Sequence, residues 1–274
     1  MPVAKPFHRN FRGIADGPNS GYSSLAYILD RDYARDAEHY VRALTLIQDD
    51  LRSIFEYVEP SAECMSAYSF RIHSLFMRTC IEIEANFKVI LAENNCSRSG
   101  RQLNMVDYRR VDATHHLSSY EVMLPIWSGS PPTLRPFEQW RPLRGLPSPH
   151  GKGVPISWYQ DYNTSKHDRH DAFKKANLKN LILSVAGLLV IVTSQFGAHD
   201  FGAGTPAIVW SNGYQPMRAS IGELFRVNYP TDWAEDETTT STGRISKINR
   251  TGSGASTSTP YPLKRRDARW TMHE

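Results

Sequence analysis

Leu181-Ile182-Leu183-Ser184-Val185-Ala186-Gly187-Leu188-Leu189-Val190-Ile191-Val192 is the longest apolar run in the chain. Crossing a bilayer takes roughly 20 apolar residues. This run is shorter, and extending it through Thr193 to Gly197 adds mostly small or polar side chains. It is therefore read as the centre of a buried core helix over about 171–196, with Leu178, Val185 and Val192 on its stripe and Gly197 as its stop. A helix that is apolar on nearly every side needs neighbours on every side, so the rest of the chain must supply partner helices.

Two partners are legible upstream. Over about 30–58, Tyr40, Leu44, Ile47, Leu51, Ile54 and Val58 recur in steps of four and three, while Asp49, Asp50, Arg52 and Glu56 lie largely off that stripe. Pro60 closes the helix. Over about 62–92, Phe76, Cys80, Ile83, Phe87 and Ile90 make a main stripe, and Met77, Ile81, Glu84 and Lys88 make a second, which predicts packing on more than one neighbour. Glu84 and Lys88 are an i,i+4 pair. Glu84 is either half of a surface pair or a carboxylate turned into a polar pocket between helices.

The stretch 93–156 is different. Its eight prolines from Pro125 to Pro155 exclude long helices. Trp127, Phe137 and Trp140 predict that this insertion packs down on the helices, with Tyr120–Leu124 and Thr133–Phe137 as short strands or extended loop. Helical pattern returns over about 157–170. Residues 1–22 read as an irregular lead-in, and Ala207–Trp210 and Ile221–Val227 as short elements. Ser, Thr and Gly dominate 235–274, which predicts a disordered basic tail. The expected fold is all-α: an up-and-down helical bundle forming a single domain over 1–234.

Composition narrows the functional classes. The hydrophobic fraction of 40% over 274 residues allows a real core, and a mean hydropathy of -0.47 is too polar for a polytopic membrane protein, so no membrane partner is expected. Met1–His8 carries no apolar segment of the kind a secretory signal needs. Cys64, Cys80 and Cys96 are odd in number and lack motif spacing, which points to reduced thiols and a cytoplasmic location, with Cys80 as a small core residue. The net charge of +4 sits in the tail, where the last 34 residues hold seven basic and two acidic side chains. The near-neutral body gives no global reason for nucleic-acid binding.

Chemistry concentrates between Trp158 and Phe173. A continued helix would place Tyr159, Asn163, His167 and His170 on one face, with Lys166 and Arg169 beside them. Imidazole transfers protons near neutral pH, and Lys or Arg offsets charge growing on a pentacoordinate phosphorus. RNA brings its own nucleophile in the 2′-hydroxyl. The competing reading is purely structural: Thr164 or Asp171 as caps, and Trp158 and Tyr162 as core aromatics. Metal binding is a third possibility, since His167 and His170 are i,i+3 with Asp168 and Asp171 nearby and His115-His116, His150 and His199-Asp200 lie elsewhere, but no His-Glu-x-x-His and no paired-Cys motif is present. Gly202-Ala203-Gly204 matches no phosphate-binding loop. Neither a metal nor a cofactor is expected.

The segment Arg78-Thr79-Cys80-Ile81-Glu82-Ile83-Glu84-Ala85-Asn86-Phe87-Lys88 resembles the second long helix of the HEPN superfamily. Tyr162-Asn163-Thr164-Ser165-Lys166-His167, followed by a long apolar helix, resembles that family's Arg-Asn-x-x-x-His motif. The likeness covers the helices, roughly half the chain. It implies a homodimer and a metal-independent endoribonuclease of a defence or toxin system, with His167 catalytic, Asn163 and Tyr162 orienting it, and Lys166 stabilising phosphate charge. Arg169, His170, Tyr159 and Glu84 would contact the substrate. Tyr162 stands where the family has Arg. The alternative implied is a non-catalytic module that binds a protein partner or a nucleotide.

Overall fold

The computed structural model describes residues 8–11, 34–94, 103–146, 154–197, 199–200, 207–208, 217–234 and 237. Within them the chain is mostly helical. α1 (Ala37–Phe55), α2 (Phe70–Glu93) and α7 (Leu178–Phe196) pack mutually, and α5 (Ser157–His167) lies against α2 and α7. Of the residues in the most apolar part of α7, 89% are buried inside the protein. It is the one described helix long and apolar enough to cross a bilayer, and its neighbours in the fold cover all of it but Lys179 and part of Leu183.

The stripes fall where their periods place them. Leu44, Ile47, Leu51 and Ile54 of α1 and Phe76, Cys80, Ile83, Phe87 and Ile90 of α2 are buried. Burial raises the thiol pKa of Cys80 well above its ordinary value, and the charge of Glu84 adds to this. The second stripe of α2 is only partly used: Met77 packs against the core, while Ile81 is 57% exposed. α2 begins at Phe70, later than the periodicity suggests, because the Ser69 side chain accepts from the Ile72 amide and fixes the first turn there. The preceding residues serve α7 instead. The carbonyls of Ala67 and Met65 accept from the Leu178 and Lys179 amides at 2.8 and 3.0 Å, satisfying N–H groups that a helix start leaves without partners.

The Pro-rich insertion is short elements rather than free loop: α3 (Met105–Tyr108), a 3-10 turn Arg109–Val111, α4 (Asp112–His115), another at Leu117–Ser119, β1 (Glu121–Met123) and a 3-10 stretch Glu138–Leu143. Phe137 and Trp140 stack 5.0 Å apart and close over Phe87 and Trp158. The Trp158 indole donates to the Pro136 carbonyl at 2.9 Å. Gly187 of α7 leaves the room these rings occupy, since a Cβ there would lie 3.3 Å from Trp158.

The C-terminal elements contribute strands. β2 (His199–Asp200) pairs with β3 (Ala207–Ile208), and β4 (Arg218–Ala219) and β5 (Arg226–Asn228) form an antiparallel sheet with β1 in the order β1-β5-β4, with Val122 opposite Val227. The turn between β4 and β5 docks on α1. Gln48, fully buried, donates to the Ile221 carbonyl at 3.0 Å, beneath Gly222. Gly222 has φ +73, and a Cβ there would sit 2.5 Å from the Gln48 amide oxygen. Gly222→Ala is therefore expected to destabilise the protein by at least about 2 kcal/mol, from left-handed strain plus displacement of Gln48. A chemical-denaturation midpoint unchanged from the parent would contradict this.

A polar latch ties the segment after β5 to the insertion. Arg144 bridges Asp112 and Asp232, the latter at 2.7 Å, and donates to Ser118 and Ser119. His116 stacks on Trp233 at 4.0 Å and lies 3.1 Å from Asp232 and 3.4 Å from Glu237. Burial pushes the Asp232 carboxyl up, but bonds from Ser119, Arg144 and His116 and the charge of Arg144 outweigh it and hold it well below its ordinary 3.8. A depressed carboxyl contributes stability above its unfolded value and loses it as pH falls toward the folded one. Acidification below about pH 5 is thus expected to weaken the fold progressively. Arg144→Met should remove part of that dependence, and urea midpoints measured across the acid range would be the check.

Candidate functional site

α5 is built with one face inward. Trp158, Tyr159, Tyr162 and Ser165 are buried, at steps that keep them against α2 and α7. The helix ends at Asp168, whose φ of -133 and ψ of 66 leave helical space. Its amide still donates to the Thr164 carbonyl at 2.8 Å, and its carboxylate caps the next turn by accepting from the Asp171 amide. α6 (Arg169–Ala172), a 3-10 turn Phe173–Lys175 and the buried Ala176 then lead to Asn177, which caps α7.

This break changes how the candidate residues meet. Tyr159, Asn163 and His167 share α5, but His170 belongs to α6, so the single face of four that a continued helix would give does not form. The long helix expected from about 171 starts only at Leu178 for the same reason. Tyr159 is buried, Asn163 is half-buried, and Lys166, His167, Arg169 and His170 are exposed on either side of the break. Lys166 lies over the Tyr162 ring at 5.3 Å.

Tyr162 and Tyr159 face α2. The Tyr159 hydroxyl donates to Glu84 at 2.8 Å, and Glu84 also lies 3.6 Å from Lys88. Glu84 is thus both an i,i+4 partner and a carboxylate turned between helices. Burial, then the hydrogen bond and charge of Glu84, push the Tyr159 hydroxyl far above its ordinary value. Burial and the same carboxylate raise that of Tyr162, whose hydroxyl lies in the interior with no hydrogen bond of good geometry. Both phenols stay protonated at neutral pH. They hold α5 to α2 from inside and do not reach a ligand in solvent.

The sequence pattern did not single out the rings that border the break. Tyr68 pairs by a β-bridge with Asn177, which brings the start of α2 beside the start of α7. Phe173 then contacts Phe70 at 4.9 Å, His73 at 5.3 Å and Tyr68 at 5.9 Å between ring centroids, and Lys174 lies over Tyr68 at 5.9 Å. His73 has its pKa lowered by burial and then by the charge of Arg169. About a hundred residues separate the two halves of the cluster, and no spacing rule joins them.

Among the described residues no group of three or more His, Cys, Asp or Glu side chains is arranged to hold a metal ion. Cys96, His150 and, apart from Glu237, the basic tail over 235–274 lie outside the described residues. Comparison with protein-family models, curated proteins and solved structures finds no match to this chain.

Proposed function

We propose that the chain is an HEPN-like helical protein of the cytoplasm that acts on RNA at the corner formed by Lys166, His167, Arg169 and His170, within a defence or toxin system. One observation carries the reading. The helix break at Asp168 leaves two imidazoles and two cations in solvent at a single corner, above an aromatic interior that holds α5 in place. His167 accepts the proton of the RNA 2′-hydroxyl as its oxygen bonds to phosphorus. The P–O5′ bond breaks, and the leaving oxygen takes its proton from water. Lys166 and Arg169 offset the charge on phosphorus. Asn163, one turn earlier on α5, is the orienting amide, while Glu84 and the buried Tyr159 and Tyr162 set the position of α5.

The test is incubation of labelled RNA with the purified chain and with His167→Ala, in EDTA. Cleavage by the first and not the second is expected. Equal cleavage by both, or none by either across several RNAs, sinks the catalytic reading. A second reading has its own support: Tyr162, at the position of the family's Arg, is buried and offers nothing to a phosphate. RNA or nucleotide retained without cleavage would favour this binding module.

A further inference from the structure

Phe70 is 70% exposed and Tyr68 46%, although both belong to a cluster with fixed ring contacts. Single exposed apolar side chains are ordinary. Here the rings are held in a set orientation: Phe173 packs at a tilt on both Phe70 and His73, and meets Tyr68 edge-on. Held rings with open faces lose little freedom when something flat settles on them.

The surroundings are cationic. Lys174 lies over Tyr68, and Arg169 is close enough to His73 to act on its charge. Arg71, next to Phe70, faces the other way into a shallow pocket between α1 and α2 with Ser74 and Arg78. Arg78 is paired with Asp50. Among the described residues, no ion pair takes up Arg71, Arg169 or Lys174. Asp168 and Asp171 are the acidic neighbours, and the Asp168 carboxylate is engaged in capping α6.

We propose that Tyr68 and Phe70 form a stacking platform for unpaired bases of single-stranded RNA, with Lys174 and Arg169 meeting its phosphates. This rests on the reading of the Lys166–His170 corner as an RNA site, and it names the substrate class of that site. Bases in an A-form duplex are stacked and paired, so they cannot lie on a protein ring, whereas unpaired bases can. Every base has a π-face, so such a platform selects for single strands and tolerates sequence. α6 leads directly from that corner to Phe173 and Lys174, which ties the platform to it along the chain.

The experiment is fluorescence anisotropy of a short labelled oligouridine and of a fully paired RNA hairpin, with full-length chain carrying His167→Ala so that strands stay intact. Phe70→Ala and Tyr68→Ala are each expected to weaken oligouridine binding by roughly tenfold. Phe70→Trp should retain it, and the hairpin should bind weakly and indifferently to these changes. Undiminished oligouridine binding by Phe70→Ala overturns the platform, as does equal, Phe70-dependent binding of the hairpin. If Phe70→Ala instead converts a dimer to a monomer in light scattering, the rings are a contact between two copies and the proposal is wrong. Phe70-independent binding alongside His167-dependent cleavage removes the platform alone. Phe70-dependent binding without any cleavage removes catalysis and leaves the platform standing. No oligouridine binding by the parent chain overturns both.

Discussion

His167→Ala is expected to lower RNA cleavage by roughly 10²- to 10⁴-fold, the range over which a positioned general base contributes. On the proposed reading the change acts on turnover more than on RNA affinity, because the cations proposed to attract phosphate, Lys166 and Arg169, remain in place. His167 is exposed at the last turn of α5 and makes no contact that holds the fold. Its removal should therefore leave thermal stability within about 0.5 kcal/mol of the parent. Single-turnover cleavage on a labelled RNA, read beside a melting curve, separates the two effects. A loss of cleavage that tracks a loss of folded protein would remove His167 from the chemistry. Lys166→Met and Arg169→Met should each cost less, and the cost should shrink as salt screens the phosphate.

Arg9→Ala is expected to destabilise the protein by about 3 kcal/mol or more, because it removes a fully buried side chain together with its hydrogen bonds and its ion pair. Arg9 is fully buried in the short segment 8–11. Its Nε lies 3.0 Å from Glu93 at the end of α2, and its Nη1 donates to Gln195 of α7 at 3.1 Å. Nη2 donates to the Arg35 carbonyl just before α1, and the guanidinium lies 4.7 Å from the Tyr40 ring centre. One side chain thus ties the ends of three helices. Alanine would leave the Glu93 carboxylate and the Gln195 oxygen without those partners, and a hole where the guanidinium was. Arg9→Lys should recover little, since an ammonium cannot make the forked contacts of a guanidinium. At about 2–4 °C per kcal/mol, the melting midpoint should fall by roughly 10 °C. A midpoint within about 2 °C of the parent would show that the segment merely rests on the bundle.

These two residues mark the limits of reading from pattern. His167 stood out because imidazole, amide and cations crowd one stretch of chain. Arg9 did not, because its surroundings in sequence, Gly, Asn and Pro without apolar period, look like an irregular lead-in. What makes Arg9 important is supplied by Glu93, Gln195 and Arg35, which no local window contains.

The same division runs through the molecule. Helices α1, α2 and α7 and their buried stripes were legible because a 3.6-residue period and a run of apolar side chains are local facts that survive folding. The aromatic anchoring of the Pro-rich insertion was legible because large rings must be buried somewhere. The break at Asp168 was not, because continuing the helix and capping a new one compete within a few residues, and the closing of α6 and Ala176 against the core tips the balance. The meeting of Tyr68 and Phe70 with Phe173 and Lys174, and of His116 with Asp232, depends on pairings across about a hundred residues. Period and composition carry no information about such distances. Only the packed chain, satisfying its helix ends and its β-bridge at once, brings those groups together.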